Sequence, residues 1–196
     1  NDISYLPPNT FRGSRFLTDL DIDGNPLDFL NAGCTLRSDA NKLDCSSKSL
    51  TGVLDFIDVP IVEFMDFSSN EITGIHPEHV WGASKDYLKE LRLNNNNIGP
   101  NIYGYIDMMG KLETLTLAHN NLNKLGALAF VHNRKLTQVT VNGNPLDFVQ
   151  SGCVLNTDAS ELDCSARSPR LGPSVQFTEL PRATIRHMDF SDNDII

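Results

Sequence analysis

Apolar residues recur along this chain in a frame of about 24 positions, and an asparagine returns at a fixed offset within it. Leu88, Leu91, Leu93, Asn96 and Ile98 set the frame. Leu112, Leu115, Leu117, Asn120 and Leu122 repeat it, as do Leu136, Val139, Val141, Asn144 and Leu146. Weaker copies are Leu17, Leu20, Ile22 with Asn25; Val62, Met65, Phe67 with Asn70; and Ile185, Met188, Phe190 with Asn193. Two further copies, Ala40-Leu43-Cys45 and Ala159-Leu162-Cys164, carry Lys48 and Arg167 at the asparagine position. The frame therefore begins at 17, 40, 62, 88, 112, 136, 159 and 185, which predicts eight short strands without a gap. Side chains alternate along a strand, so the two apolar positions point inward and the residue between them faces solvent. Stacked copies predict one parallel sheet.

The pattern L-x-x-L-x-L-x-x-N-x-L at this period resembles the leucine-rich-repeat proteins. The resemblance implies an α/β-type solenoid, a horseshoe or superhelix with one parallel sheet on its concave face. Segments such as Ile75-His76-Pro77-Glu78-His79-Val80 and Leu125 to Phe130 return along the convex face. Their proline and short polar stretches predict irregular or brief helical turns there. Asn25, Asn70, Asn96, Asn120, Asn144 and Asn193 form a structural ladder. Each is expected to satisfy backbone amide and carbonyl groups where the chain leaves the sheet.

A longer period lies above the short one. Gly24-Asn25-Pro26-Leu27-Asp28-Phe29 recurs as Gly143-Asn144-Pro145-Leu146-Asp147-Phe148, at an offset of 119 that equals five repeats. Gly33-Cys34 recurs as Gly152-Cys153, and Leu43-Asp44-Cys45-Ser46 as Leu162-Asp163-Cys164-Ser165. This is a duplicated five-repeat block. Asn1-Asp2-Ile3 and Asn193-Asp194-Ile195 stand at one phase, so residues 1–196 read as a single continuous solenoid cut from a longer repetitive chain.

The four cysteines make two copies of Cys-x10-Cys. Duplication favours the local pairs Cys34–Cys45 and Cys153–Cys164, each stabilising by roughly 2–3 kcal/mol in the chain-entropy model. Buried free thiols are the alternative, because Cys45 and Cys164 occupy core positions. A zinc site lacks the usual Cys-x2-Cys or His-x3–5-His spacing. Leu43 to Val53, followed by Met65 to Ile72, resembles the cysteine-containing N-terminal flank of extracellular leucine-rich-repeat proteins. Asn25-Pro26-Leu27 to Cys34 resembles the start of their C-terminal flank. Those flanks usually carry about four cysteines; this chain has two per copy and places them mid-chain, as a flank absorbed into a continuous solenoid. The resemblance implies an extracellular protein that binds other proteins or assembles into matrix or surface structures.

Composition adds limits. Hydrophobic residues make 40% and charged residues 21%, which fits a folded chain. A net charge of −9 with pI near 4.9 argues against nucleic acid or anionic membranes and leaves basic proteins or cations open. The solvent-facing strand positions are Asp21, Asp44, Asp66, Arg92, Thr116, Thr140, Asp163 and Asp189. Neighbouring strands lie about 4.8 Å apart, so Asp21, Asp44 and Asp66 are expected to form a like-charge ladder. It reads as a solvated face, a surface for a basic partner, or a weak calcium site. Trp81 is read as packing against the outer loops rather than as an exposed anchor. No nucleophile motif, phosphate loop or other catalytic constellation occurs, so no enzyme and no cofactor is expected. The expected function is a structural segment of a filament, coat or matrix, binding other proteins or further copies of itself end to end. The alternative is a ligand-binding receptor ectodomain using the concave face.

Overall fold

The computed structural model describes residues 3, 6–7, 10–11, 14, 16–22, 25–37, 41–56, 59–76, 80–124, 129–130, 132–146, 153–155, 161–163 and 187–189. Seven frame positions become strands of three residues, and five of them share the main sheet: β2 (Lys42–Asp44), β4 (Phe64–Asp66), β6 (Glu90–Arg92), β7 (Thr114–Thr116) and β8 (Gln138–Thr140). They follow β1 (Thr35–Leu36), with β3 (Thr51–Leu54) and β5 (Glu71–Ile75) between them. The main sheet has the order β1-β2-β4-β6-β7-β8. From β2 onward every pairing is parallel, and the central residues Leu43, Met65, Leu91, Leu115 and Val139 stand in one register. All five are buried, so the strict apolar column is what fixes the pairing.

Behind the sheet a second apolar column, Phe67, Leu93, Leu117 and Val141, and a third, Ile72, Ile98, Leu122 and Leu146, complete the core. The return segments supply its back wall. One contains Trp81 and the 3-10 turn Gly82–Asp86; another runs from the 3-10 turn Pro100–Ile102 into α2 (Tyr103–Ile106). Trp81, Ile102, Ile106 and Met109 are buried there. The short α1 (Asp28–Asn31) precedes β1 and buries Phe29.

Three features differ from the sequence expectation. Asp21 lies in no strand among the described residues; the place beside β2 is taken by β1, which pairs antiparallel, Thr35 with Asp44 and Leu36 with Leu43. The cause is covalent: Cys34 is bonded to Cys45, which folds the chain back along β2 within 11 residues. Second, the strands do not form one eight-membered sheet among the described residues. β9 (Val154–Leu155), β10 (Glu161–Asp163) and β11 (His187–Asp189) make a separate sheet of order β11-β10-β9. Here too the strand after the first cysteine of the pair runs antiparallel and occupies an edge. The cysteine segment is thus an edge-closing hairpin and not a flank absorbed into a parallel stack.

Third, the return segments are not solely irregular or helical. β3 and β5 form a two-stranded parallel sheet with a bulge at Gly52/Val53. Thr51, Val53, Ile72, Thr73 and Ile75 supply the β-branched residues that favour it, and Gly52 takes φ +70.

Candidate interaction surface

The asparagine ladder couples each repeat to the one before it. Asn96 accepts the Ile72 amide at 3.0 Å and donates to the carbonyls of Phe67 at 2.9 Å and Leu93 at 3.1 Å. Asn120 makes the same set with Ile98, Leu93 and Leu117, and Asn144 with Leu122, Leu117 and Val141. Asn70 accepts from both Lys48 and Leu50 and donates to Cys45 and Phe67. Asn25 accepts the Ile3 amide and donates to Ile22. Asn193 lies outside the described residues. Each rung spans two repeats; at Lys48 the lysine side chain cannot accept a backbone amide as the asparagine oxygen does. The disulfide joins Cys34 and Cys45 beside β2, with S–S 2.01 Å and both residues buried. Cys153 is also disulfide-bonded; Cys164 is outside the described residues.

The solvent side of β2, β4 and β6 carries two rows of side chains in register. Lys42, Phe64 and Glu90 form one; Asp44, Asp66 and Arg92 form the other. Thr116 and Thr140 continue the second row on β7 and β8, with the Thr116 hydroxyl donating to Asn94 Oδ1 at 2.9 Å. Asp163 and Asp189 stand opposite one another on β10 and β11. Asp21 is exposed and apart from these rows, so the expected three-aspartate ladder reduces to one adjacent pair, Asp44 and Asp66.

That pair is relieved by the chain itself. Asp44 Oδ1 accepts the Ser46 amide at 3.0 Å and hydroxyl at 2.7 Å, and Lys42 lies 3.0 Å from Oδ2. Burial pushes the Asp44 carboxyl up, but the Ser46 and Lys42 interactions outweigh it and hold it at about 2, below its ordinary 3.8. Asp66 accepts from Ser68 in the same way, at 3.0 and 2.6 Å, and Arg92 Nη1 lies 3.7 Å away. Arg92 also pairs with Glu90 beside it. Next to this patch, Lys89 binds Glu63 at 2.9 Å, and that hydrogen bond raises the lysine above its usual range. Among the described residues no group of three or more His, Cys, Asp or Glu side chains is placed to hold a metal ion.

Lys42, Phe64, Met65, Asp66, Glu90 and Arg92 line one shallow pocket. Lys42, Phe64 and Glu90 did not emerge from the sequence frame, although they face solvent two residues before the aspartate row by the same alternation. The serine acceptor turns were visible as Asp44-Cys45-Ser46 and Asp66-Phe67-Ser68. Trp81 is buried at 2% exposure and forms part of the core. Tyr105 is exposed; His79 is outside the described residues.

Residues 86–102, the stretch containing β6 and its ladder asparagine, match the "Leucine Rich repeat" family. Over 157 residues the chain is 26% identical to Tsukushi of Xenopus tropicalis, an alignment covering 79% of this chain and 44% of that relative. The chain thus spans less than half the length of the relative it matches. With the apolar register of the sheet and asparagine rungs that each bind two successive repeats, the chain is similar to leucine-rich-repeat proteins.

Proposed function

We propose that this chain is a non-enzymatic, extracellular protein-interaction scaffold that recognises a protein partner on the solvent side of the main sheet. The observation that carries the reading is the two-row patch of β2, β4 and β6, in which the half-buried Phe64 ring is surrounded by Lys42, Asp66, Glu90 and Arg92. Phenylalanine and arginine are both enriched at protein interfaces, where an aromatic anchor sits inside a polar rim. The patch lies on strands held by the asparagine rungs, so little ordering entropy is lost on binding. Cys34–Cys45 fits an oxidising compartment. The net charge of −9 steers toward basic proteins and away from nucleic acid. Lys42 and Arg92 pair with the aspartates and the two serines hydrogen-bond them, so this reading requires no calcium. No described helix is long and apolar enough to cross a membrane.

The test is a photo-crosslinking amino acid placed at Thr114 or Gln138, beside the patch, and at Tyr105 in the α2 return segment. Adducts to a discrete extracellular protein are expected from the sheet positions, competed by unmodified protein and lost with Phe64→Ala. Adducts from Tyr105 alone would sink the proposal.

A second reading, in which five-repeat blocks join into a longer assembly, is favoured by the recurrence of the β1–β2–β4 arrangement in β9–β10–β11. Electron microscopy of native material tests it: end-to-end strings support assembly, and single particles at high concentration count against it.

A further inference from the structure

Among the described residues, five that precede a ladder position adopt a left-handed backbone, and at the Asn144 rung this creates a chemically distinct site. Ser47, Ser69, Asn95, His119 and Gly143 occupy that column with φ between 54 and 69. The first four donate their amides to carbonyls of the next repeat, to Ser68, Asn94, Ala118 and Asn142, at 2.8 to 3.0 Å. Gly143 follows the edge strand β8, and among the described residues its amide meets no acceptor. The residue before it, Asn142, is exposed, and its side chain makes no hydrogen bond among the described residues. Asn142–Gly143 is the one Asn-Gly pair in the chain. Glycine is favoured here: φ is +69, and a Cβ would stand 2.3 Å from Nδ1 of the exposed His119 ring, which would have to move aside.

We propose that Asn142–Gly143 is a site of spontaneous deamidation and isoaspartate formation, a covalent change that releases the Asn144 rung. The Gly143 amide nitrogen gives its proton to solvent and bonds to Cγ of Asn142. The Cγ–Nδ2 bond breaks, ammonia leaves, and a five-membered imide remains. Water then adds to one imide carbonyl and opens the ring. The net change replaces NH2 by OH, with no oxidant or reductant involved. Glycine allows the approach because it has no side chain and the widest backbone freedom, and asparagine is among the chemically labile residues of folded proteins.

The two products differ in consequence. Opening at Cγ leaves an aspartate, which this position accommodates: the duplicated block carries Asp23-Gly24 at the corresponding place, 119 residues earlier. Opening at the main-chain carbonyl routes the backbone through Cβ and Cγ and inserts one carbon before Asn144. That displaces a side chain bonded to Leu122, Leu117 and Val141. The isoaspartate form thus loses the rung that ties β8 to β7.

The experiment is incubation of the intact protein at neutral pH and 37 °C, with peptide mapping and a melting curve at each time point. Asn142 is expected to gain the NH2-to-OH mass about tenfold or more faster than the exposed Asn97, Asn121 and Asn123, whose following residues carry side chains. The melting temperature is expected to fall in step with the isoaspartate fraction. Asn142→Gln, whose longer side chain disfavours ring closure, should hold its starting melting temperature throughout, and fresh Asn142→Asp should melt as the unaged protein does. Deamidation at Asn142 no faster than at the three comparison sites would overturn the proposal. So would isoaspartate accumulating with an unchanged melting curve.

Discussion

The side-chain amide of Asn96 donates to the carbonyl of Phe67 at 2.9 Å, across 29 residues of chain. The same side chain holds the Ile72 amide, so one residue satisfies buried backbone groups in two repeats at once. Between strands of three residues the sheet ladder is short. The rungs are therefore a large share of what keeps successive repeats in register.

Asn96→Ala should consequently cost about 3 kcal/mol or more, because it strands several buried backbone groups that water cannot reach. Asn120→Ala should behave alike. Lys48→Ala, at the position where no rung forms, should change stability by less than about 0.5 kcal/mol. Urea unfolding of the three variants checks this; equal losses at Lys48 and Asn96 would refute the coupling role.

Asp44 predicts a pH dependence. Its folded pKa of about 2 lies below the ordinary 3.8, so its contribution is complete above the unfolded value and disappears as pH falls through the folded one. The side chain is about a third exposed, which reduces the effect through solvent screening to below about 1 kcal/mol. The stability gap between wild type and Asp44→Asn should therefore narrow between pH 4 and pH 2. Ser46→Ala should shrink the gap at pH 5. A gap independent of pH would contradict the Ser46–Asp44 bond.

The left-handed column makes a third prediction. A left-handed backbone costs a non-glycine residue roughly 1–2 kcal/mol, while glycine loses about 0.5–1 kcal/mol more on ordering. Ser69→Gly should thus be stabilising by about 0.5 kcal/mol, and Ser69→Val destabilising by about 1 kcal/mol or more. Gly143→Ala should be the most harmful change in the column, because backbone strain and the His119 contact act together. Thermal melts of the three variants decide the order.

Much of this architecture is legible in the amino-acid sequence. The apolar frame picked out the centres of β2, β4, β6, β7 and β8 because a side chain that must point inward on a three-residue strand leaves little freedom of register. The asparagine positions were legible for the same reason: one buried amide must serve fixed backbone groups. What the frame missed was the fate of Asp21. Leu20 and Ile22 match the pattern as well as several true strands do, yet β1 holds the place beside β2. β3 and β5 were also missed, since a strand pair beyond the ladder leaves only a short β-branched signal.

By itself, then, the chain determined the period, the inward-facing residues and the cysteine pairs available for bonding, because these depend on local alternation and composition. Only the tertiary structure decided where the parallel sheet ends and which charges stand together. Both follow from contacts between residues far apart in sequence. The Cys34–Cys45 bond turns β1 against β2 and closes the edge, and strand register alone brings Lys42, Phe64 and Glu90 beside Asp44, Asp66 and Arg92.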